Sequence, residues 1–207
     1  MKKLFFALFG FWISSGGLSY AAERPFNAAL VDPVQIFDDT DDISGLRLNL
    51  FYGKNESVKG LDLGIGVGHS KSEFKGVGIH YGANLVQGQG SGLQLANVAN
   101  IVIGDFSGVQ FAGCNFLQGG GKGLQLGYVQ IVQEDYSGIE LGIVNMVYGN
   151  YDGVQLGVVN YVGDNFKGLQ FGLVNIGGIE KGLQIGLVNV NKNKDPLPFF
   201  PFVNFRF

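Results

Sequence analysis

From Gly138 to Asn189 the chain reads GIELGIVNMVYGNYDGVQLGVVNYVGDNFKGLQFGLVNIGGIEKGLQIGLVN, in which a unit close to G-L-Q-L-G-L-V-N occurs four times. Upstream, the same unit begins at Gly45, Gly60, Gly76, Gly92, Gly108 and Gly123, giving ten copies spaced 14 to 16 residues apart. A unit this short cannot bury a core of its own. It must stack on its neighbours, so the repeat governs the whole fold.

Aligned on the first glycine, the units sort their residues at period two, the signature of a strand. The places one and three after the glycine are apolar throughout, from Leu46 and Leu48 through Leu124 and Leu126 to Leu183 and Ile185. The fifth place is mostly apolar as well, as in Leu50, Ile65, Tyr81, Ile143, Val158, Leu173 and Leu187. Between them runs a polar row: Arg47, Asp62, Gln94, Gln110, Gln125, Glu140, Gln155, Gln170 and Gln184. Small residues follow it, such as Gly127, Gly142, Gly157, Gly172 and Gly186. The seventh place is Asn in Asn115, Asn145, Asn160, Asn175 and Asn189, and residues 148–152 (YGNYD) and 163–167 (GDNFK) have the composition of turns. Each unit therefore reads as one strand of about ten residues and a turn of about five. Helices are excluded, because each mid-segment glycine would cost about 1 kcal/mol relative to alanine.

Two architectures satisfy this pattern. In a transmembrane β-barrel the apolar face meets lipid and the Gln and Gly face lines a lumen. In a parallel β-solenoid the apolar face fills a core, and Gln and Asn stack from coil to coil on the outside. At the C-terminus, Val203, Phe205 and Phe207 share one face, as in the closing strand of an outer-membrane barrel, and residues 26–37 supply an opening strand. With the ten repeats these make about twelve strands, an even number. The expected fold is all-β, a transmembrane barrel of about twelve antiparallel strands. The parallel solenoid is the alternative.

The ends bound the organisation. Residues 1–21 read as a signal peptide that is removed, with Lys2 and Lys3 before the apolar run Leu4 to Trp12 and small Ser19 and Ala21 before the cut. Residues 22–44 then form an N-terminal strand and acidic linker, residues 45–194 the ten repeats, and residues 195–207 a C-terminal aromatic strand, with 22–207 as one domain. The expected location is the bacterial outer membrane or cell surface, and the expected partner a lipid bilayer.

Thirty-five glycines, 46% hydrophobic residues and 15% charged residues set the chain apart from a soluble domain, in which about a quarter are charged. Without Lys2 and Lys3, 12 basic residues face 17 acidic ones with no basic block, which argues against nucleic acid as a partner. Cys114, the only cysteine, has no internal partner for a disulfide and reads as a small hydrophobe.

No residue pattern here carries catalysis, a metal or a cofactor. Residues 119–123 (GGGKG) lack the Ser or Thr after the lysine, and the strand-to-helix setting, of a phosphate loop. Gly64, Gly66 and Gly68 lack the βαβ unit of a dinucleotide site. His69 and His80 have no phased third ligand. The acidic residues 38–42 lack the glycine and the terminal Glu of a calcium loop and read as a solvated linker. The polar row from Arg47 to Gln184 is the strongest constellation, either a belt around a lumen suited to small polar solutes or a ladder of mutually bonded amides. The expected function is that of a structural envelope protein without enzymatic activity, a small passive pore in the barrel. The alternative is a secreted or surface solenoid acting as a binding or adhesion module.

The units GLQLG, GVQLGVVN, GLQFGLVN and GLQIGLVN, the opening GLRLNLFYGKN and the closing PFFPFVNFRF resemble an uncharacterised bacterial surface-repeat family of Leptospira type. The resemblance spans residues 26–207 and implies a surface or envelope location, with no catalytic or ligand-binding residue.

Overall fold

The computed structural model describes residues 22–193 and 199–207. The expected signal peptide lies outside the described residues. The described residues form fifteen strands, opening with β1 (Glu23–Val31), β2 (Val34–Gln35), β3 (Asp42–Gly64), β4 (Val67–His80) and β5 (Ala83–Val86). Next come β6 (Gln89–Ala96), β7 (Ala99–Val102), β8 (Phe106–Leu117), β9 (Gly121–Val132) and β10 (Tyr136–Leu141). The last five are β11 (Val144–Val147), β12 (Tyr151–Leu156), β13 (Val159–Phe171), β14 (Val174–Asn191) and β15 (Phe199–Arg206).

Successive repeats pair in parallel and in register. Gly138 lies beside Gly123 and Gly153, Glu140 beside Gln125 and Gln155, and Leu141 beside Leu126 and Leu156. The antiparallel barrel expected from the sequence does not form. The fold is a parallel β-solenoid of about eleven turns. A near-constant period of 15 residues returns each residue type to the same place in every coil, so like stacks on like at the spacing of a sheet, about 4.8 Å. Among the described residues, antiparallel pairs occur only where β2 folds back on β1 and β15 on β14, at the two ends of the stack. The C-terminal strand thus caps the last coil and does not meet the first.

Each repeat bends at a corner into two arms, separate strands in some coils and one continuous strand in others such as β8 and β9, where the pattern had implied one straight strand. In the coil of Gly138, β10 ends at Leu141, residues Gly142 and Ile143 turn a corner, and β11 begins at Val144. Two consecutive outward residues at this corner shift the alternation. Val144, Val159 and Val174 therefore lie on the outside, whereas Asn145, Asn160 and Asn175 point inward in mid-strand and do not make turns. The turn composition of residues 148–152 marks the break between β11 and β12, whereas residues 163–167 lie within the continuous β13.

The interior has two zones. One is apolar: Phe74, Phe106, Tyr136, Tyr151 and Phe166 stack opposite Val102, Leu117, Val132, Val147 and Val162, all buried. Rings of successive coils lie nearly parallel, Tyr136 on Tyr151 and Tyr151 on Phe166, with centroids 6.2 Å apart in both pairs. The other zone, nearer the corner, is filled with amides. Backbone approach there and along the sheet is close. The first glycine of the unit has a positive φ in nine repeats from Gly45 to Gly168, and a Cβ on Gly153 would stand 1.9 Å from the carbonyl oxygen of Gly138. Any L-side chain at this place would be strained and would collide with the coil beneath.

Candidate functional site: an inner amide ladder beneath an apolar outer edge

The polar row lies inside. Gln94, Gln110, Gln125, Glu140, Gln155, Gln170 and Gln184 are buried, and so are Arg47 and Asp62. The solenoid alternative had placed these residues on the outside and the apolar columns in the core. The arrangement is the reverse. The row does not line an open lumen either, because its members bond to one another.

In this ladder each side-chain amide donates to the coil before it. Gln110 Nε2 donates to Gln94 Oε1 at 2.8 Å and Gln125 Nε2 to Gln110 Oε1 at 2.8 Å. Beyond Glu140, Gln155 Nε2 donates to Glu140 Oε2 at 2.7 Å, Gln170 to Gln155 at 2.7 Å and Gln184 to Gln170 at 2.8 Å. Asn204 of the capping strand adds a last rung at 3.3 Å to Gln184. Gln94 Nε2 has no partner, because the residue beside it in the previous coil is Gly78.

A second ladder runs along the seventh place with the opposite polarity. Asn84 donates to Asn100, Asn100 to Asn115 and Asn115 to Gln130, then Asn145 to Asn160, Asn160 to Asn175 and Asn175 to Asn189, at 2.7 to 2.8 Å. Several of these amides also donate to the carbonyl at the end of the next coil's first strand, as Asn145 does to Leu156 and Asn160 to Phe171. The small residue at the corner makes room for them. A Cβ on Gly157 would lie 2.7 Å from Asn145 Nδ2.

In the first coils charges replace the amides. Arg47 Nε and Nη2 donate to the two oxygens of Asp62 at 2.9 and 2.7 Å, and Asn49 Nδ2 donates to Asp62 Oδ1 at 2.8 Å. Such a bidentate pair satisfies both buried charges geometrically. His80 lies 3.6 Å from Asp62, accepts from Asn49 at Nε2 and donates from Nδ1 to Asn84 Oδ1 at 2.7 Å. Burial lowers its pKa and favours this neutral form. His80 thereby supplies the donor that sets the direction of the second ladder. Sequence reading had passed over this role, although His80 occupies the place held by glycine or alanine in most repeats.

Outside, the apolar columns are open. At places one, three and five, Leu61, Ile79, Phe111, Tyr128, Ile139, Leu156 and Leu187 are exposed, Leu156 at 37% and Tyr128 at 68%. The columns continue into both ends. Phe26 and Ala28 pair with Leu46 and Leu48, and Phe205 and Val203 pair with Leu183 and Ile185. With the outward valines of the second strand they form a convex edge about 50 Å long. The opposite edge is polar, carrying Asp105, Glu134, Asp135 and Asn150 between strands and Asp164 and Asn165 within β13.

The remaining candidates have structural places. Gly121 to Gly123 open β9, and no helix follows them among the described residues. A Cβ on Gly66 would collide with the carbonyl of Phe51, and one on Gly68 with His80, so close packing requires both glycines. His69 Nδ1 lies 2.6 Å from the Tyr52 hydroxyl, and burial lowers its pKa. Cys114 is half-buried beside Ala99 and Val129, and its thiol pKa is raised by burial, the opposite of an activated nucleophile. The acidic linker is engaged in ion pairs and hydrogen bonds: Asp41 with Arg24, Asp39 with Lys54 and Lys71, and Asp42 with Ser57. Among the described residues no group of three or more His, Cys, Asp or Glu side chains is placed to hold a metal. No family model, curated protein or solved structure matches this chain.

Proposed function

We propose that this chain is an exported, non-catalytic binding module of the cell surface, a β-solenoid that attaches to a lipid layer along its convex apolar edge. The observation that carries the reading is the register of that edge: apolar side chains, exposed or half-buried, face outward at the same places in coil after coil, from Phe26 to Phe205. A soluble monomer rarely exposes more than a few hundred Å² of contiguous apolar surface, and an edge about 50 Å long with apolar side chains on both flanks exceeds that.

Shape selects lipid over a second copy. The two arms of each coil turn alternate residues toward one interior, so their outer faces point away from each other around the corner. One flat protein sheet covers a single flank of such a wedge, whereas a fluid acyl layer conforms to both. Tyr81 and Tyr128 on the corner carry the amphipathic ring that suits the headgroup boundary. Lys75, Lys122 and Lys181 lie one place before the first glycine, beside the apolar columns, where their ammonium groups can reach lipid phosphates, and Lys59 and Lys167 at the same place pair with Glu73 and Glu180. The resemblance to surface-repeat proteins agrees with this placement.

Vesicle flotation tests it. Residues 22–207 are expected to float with phosphatidylcholine and phosphatidylglycerol vesicles, and the triple variant Leu126→Ser, Tyr128→Ser, Leu156→Ser to remain in the aqueous fraction. Equal flotation of both forms would refute the edge as the attachment surface. Concentration-dependent self-association, abolished by the triple variant and without flotation, would assign the edge to a second copy instead.

A further inference from the structure

We propose that Glu140 is an internal proton-binding site, and that its proton joins two otherwise separate halves of the inner amide ladder. The argument rests on the polarity of the ladder. Each glutamine side chain donates through Nε2 to the coil before it and accepts through Oε1 from the coil after it. A carboxylate has no donor. At the seventh coil Glu140 accepts from Gln155 through Oε2, as a glutamine would, and offers nothing to Gln125, its register partner in the preceding coil.

Two orphans mark the place. Gln125 Oε1 and Glu140 Oε1 are both buried without a hydrogen-bond partner among the described residues. Facing acceptors in a buried interior repel each other and lack the donor that each requires. A proton on Glu140 Oε1 turns the acid into an isostere of glutamine, donating to Gln125 Oε1 while Oε2 still accepts from Gln155. The ladder then runs unbroken from Gln94 to Asn204.

The surroundings favour that proton. Glu140 is fully buried and joins none of the ion pairs among the described residues. Burial pushes its pKa up to about 7, against the smaller opposing effect of the Gln155 hydrogen bond. The titratable groups facing it are Tyr136 on its own strand and Tyr151 on the next coil, both held as neutral phenols by burial and by the neighbouring carboxyl. The second ladder breaks at the same junction. Gln130 Nε2 turns to the carbonyl of Leu141, and Asn145 Oδ1 is left without a partner. With Glu140 ionised both ladders are open between the same two coils, and a proton on Glu140 closes the first of them.

The direction of the pH effect follows from linkage. Below the ordinary glutamate range the side chain is protonated in both folded and unfolded chains, and its contribution is fully present. Between that range and about 7 only the unfolded chain ionises, so stability falls as pH rises. Above about 7 both forms are ionised and the contribution is gone.

The test compares residues 22–207 with the variant Glu140→Gln by urea unfolding from pH 4 to pH 8. The unfolding constant of the wild type should rise relative to the variant by about tenfold per pH unit through that window, and the variant should be the more stable above it. Infrared spectra at pH 6 should contain the carbonyl band of a buried protonated carboxyl that the variant lacks. Parallel unfolding profiles, or no such band, would overturn the proposal. Stabilisation of the wild type at pH 8 by sodium chloride but not by choline chloride would overturn it too, since the orphaned oxygens would then bind a metal cation and not a proton.

Discussion

The first coils and the last coils fill the same inner column with different chemistry. Between Gly138 and Asn189 the column is a run of amides around one acid, and each rung is a donor meeting an acceptor. Between Gly45 and Gly78 it holds Arg47 and Asp62, which neutralise each other, and then a glycine with no side chain to offer. What the stack requires is complementarity between neighbouring coils, and amides meet that requirement any number of times because each carries both a donor and an acceptor. Charges meet it only as a pair.

The sharpest way to break the comparison is to remove one charge. Arg47→Ala should destabilise the chain by about 3 to 5 kcal/mol, because Asp62 is left buried without its partner. The double variant Arg47→Gln, Asp62→Gln turns this pair into amide rungs and should cost much less in urea unfolding than Arg47→Ala. A double variant as damaging as the single one would mean that the first coils need charge itself.

A smaller effect belongs to the regular coils. Gln170→Leu removes the acceptor of Gln184 and the donor to Gln155, and should cost about 1 to 3 kcal/mol, the penalty for orphaned buried polar groups. Hydrogen exchange should place the loss in the coils adjoining Gly168, since stability in a stack of repeats is a sum over neighbours. Uniform loss along the chain would contradict that picture.

The smallest effect is expected on the outside of the same strands. Leu156→Arg should alter aqueous stability by about 0.5 kcal/mol or less, because the side chain is already exposed to water. Thermal unfolding in buffer measures it. The sequence pattern alone favours the opposite ranking, with the apolar columns intolerant and the glutamines tolerant, as holds for a barrel in lipid or for a solenoid with an apolar core.

Much of this was legible in the residues. The repeats, the strands and the division into an apolar and a polar face all follow from period two within a period of about 15. Direction was not legible, because alternation is identical in parallel and antiparallel strands, and the aromatic strand ending at Phe207 looks the same whether it closes a barrel or caps a coil. The corner left a trace. In Gly142-Ile143-Val144 and Gly157-Val158-Val159 two successive apolar residues follow the glycine, and only a change of chain direction puts both outside. The inward direction of the seventh-place asparagines was not legible either, because Asn serves both turns and stacked amide ladders. The gap at Glu140 needed the polarity of the hydrogen bonds, which no spacing encodes.

The central claim is that successive repeats run in parallel with like residues adjacent, and a cross-link between Ser137 and Asp152 tests it most directly. Both are exposed, one place before the glycine in consecutive repeats, and they are register partners on β10 and β12. Replaced by cysteines in a Cys114→Ala background, they lie at the separation of neighbouring strands, about 5 Å between Cα atoms, within the range a disulfide spans. Mild oxidation should close an intramolecular Ser137→Cys, Asp152→Cys disulfide nearly quantitatively, as judged by gel mobility and mass. In an antiparallel arrangement the same places fall at opposite ends of adjacent strands, roughly 30 Å apart for ten-residue strands. Failure of this pair to form the disulfide in the folded protein, with both thiols remaining free, would contradict the parallel solenoid.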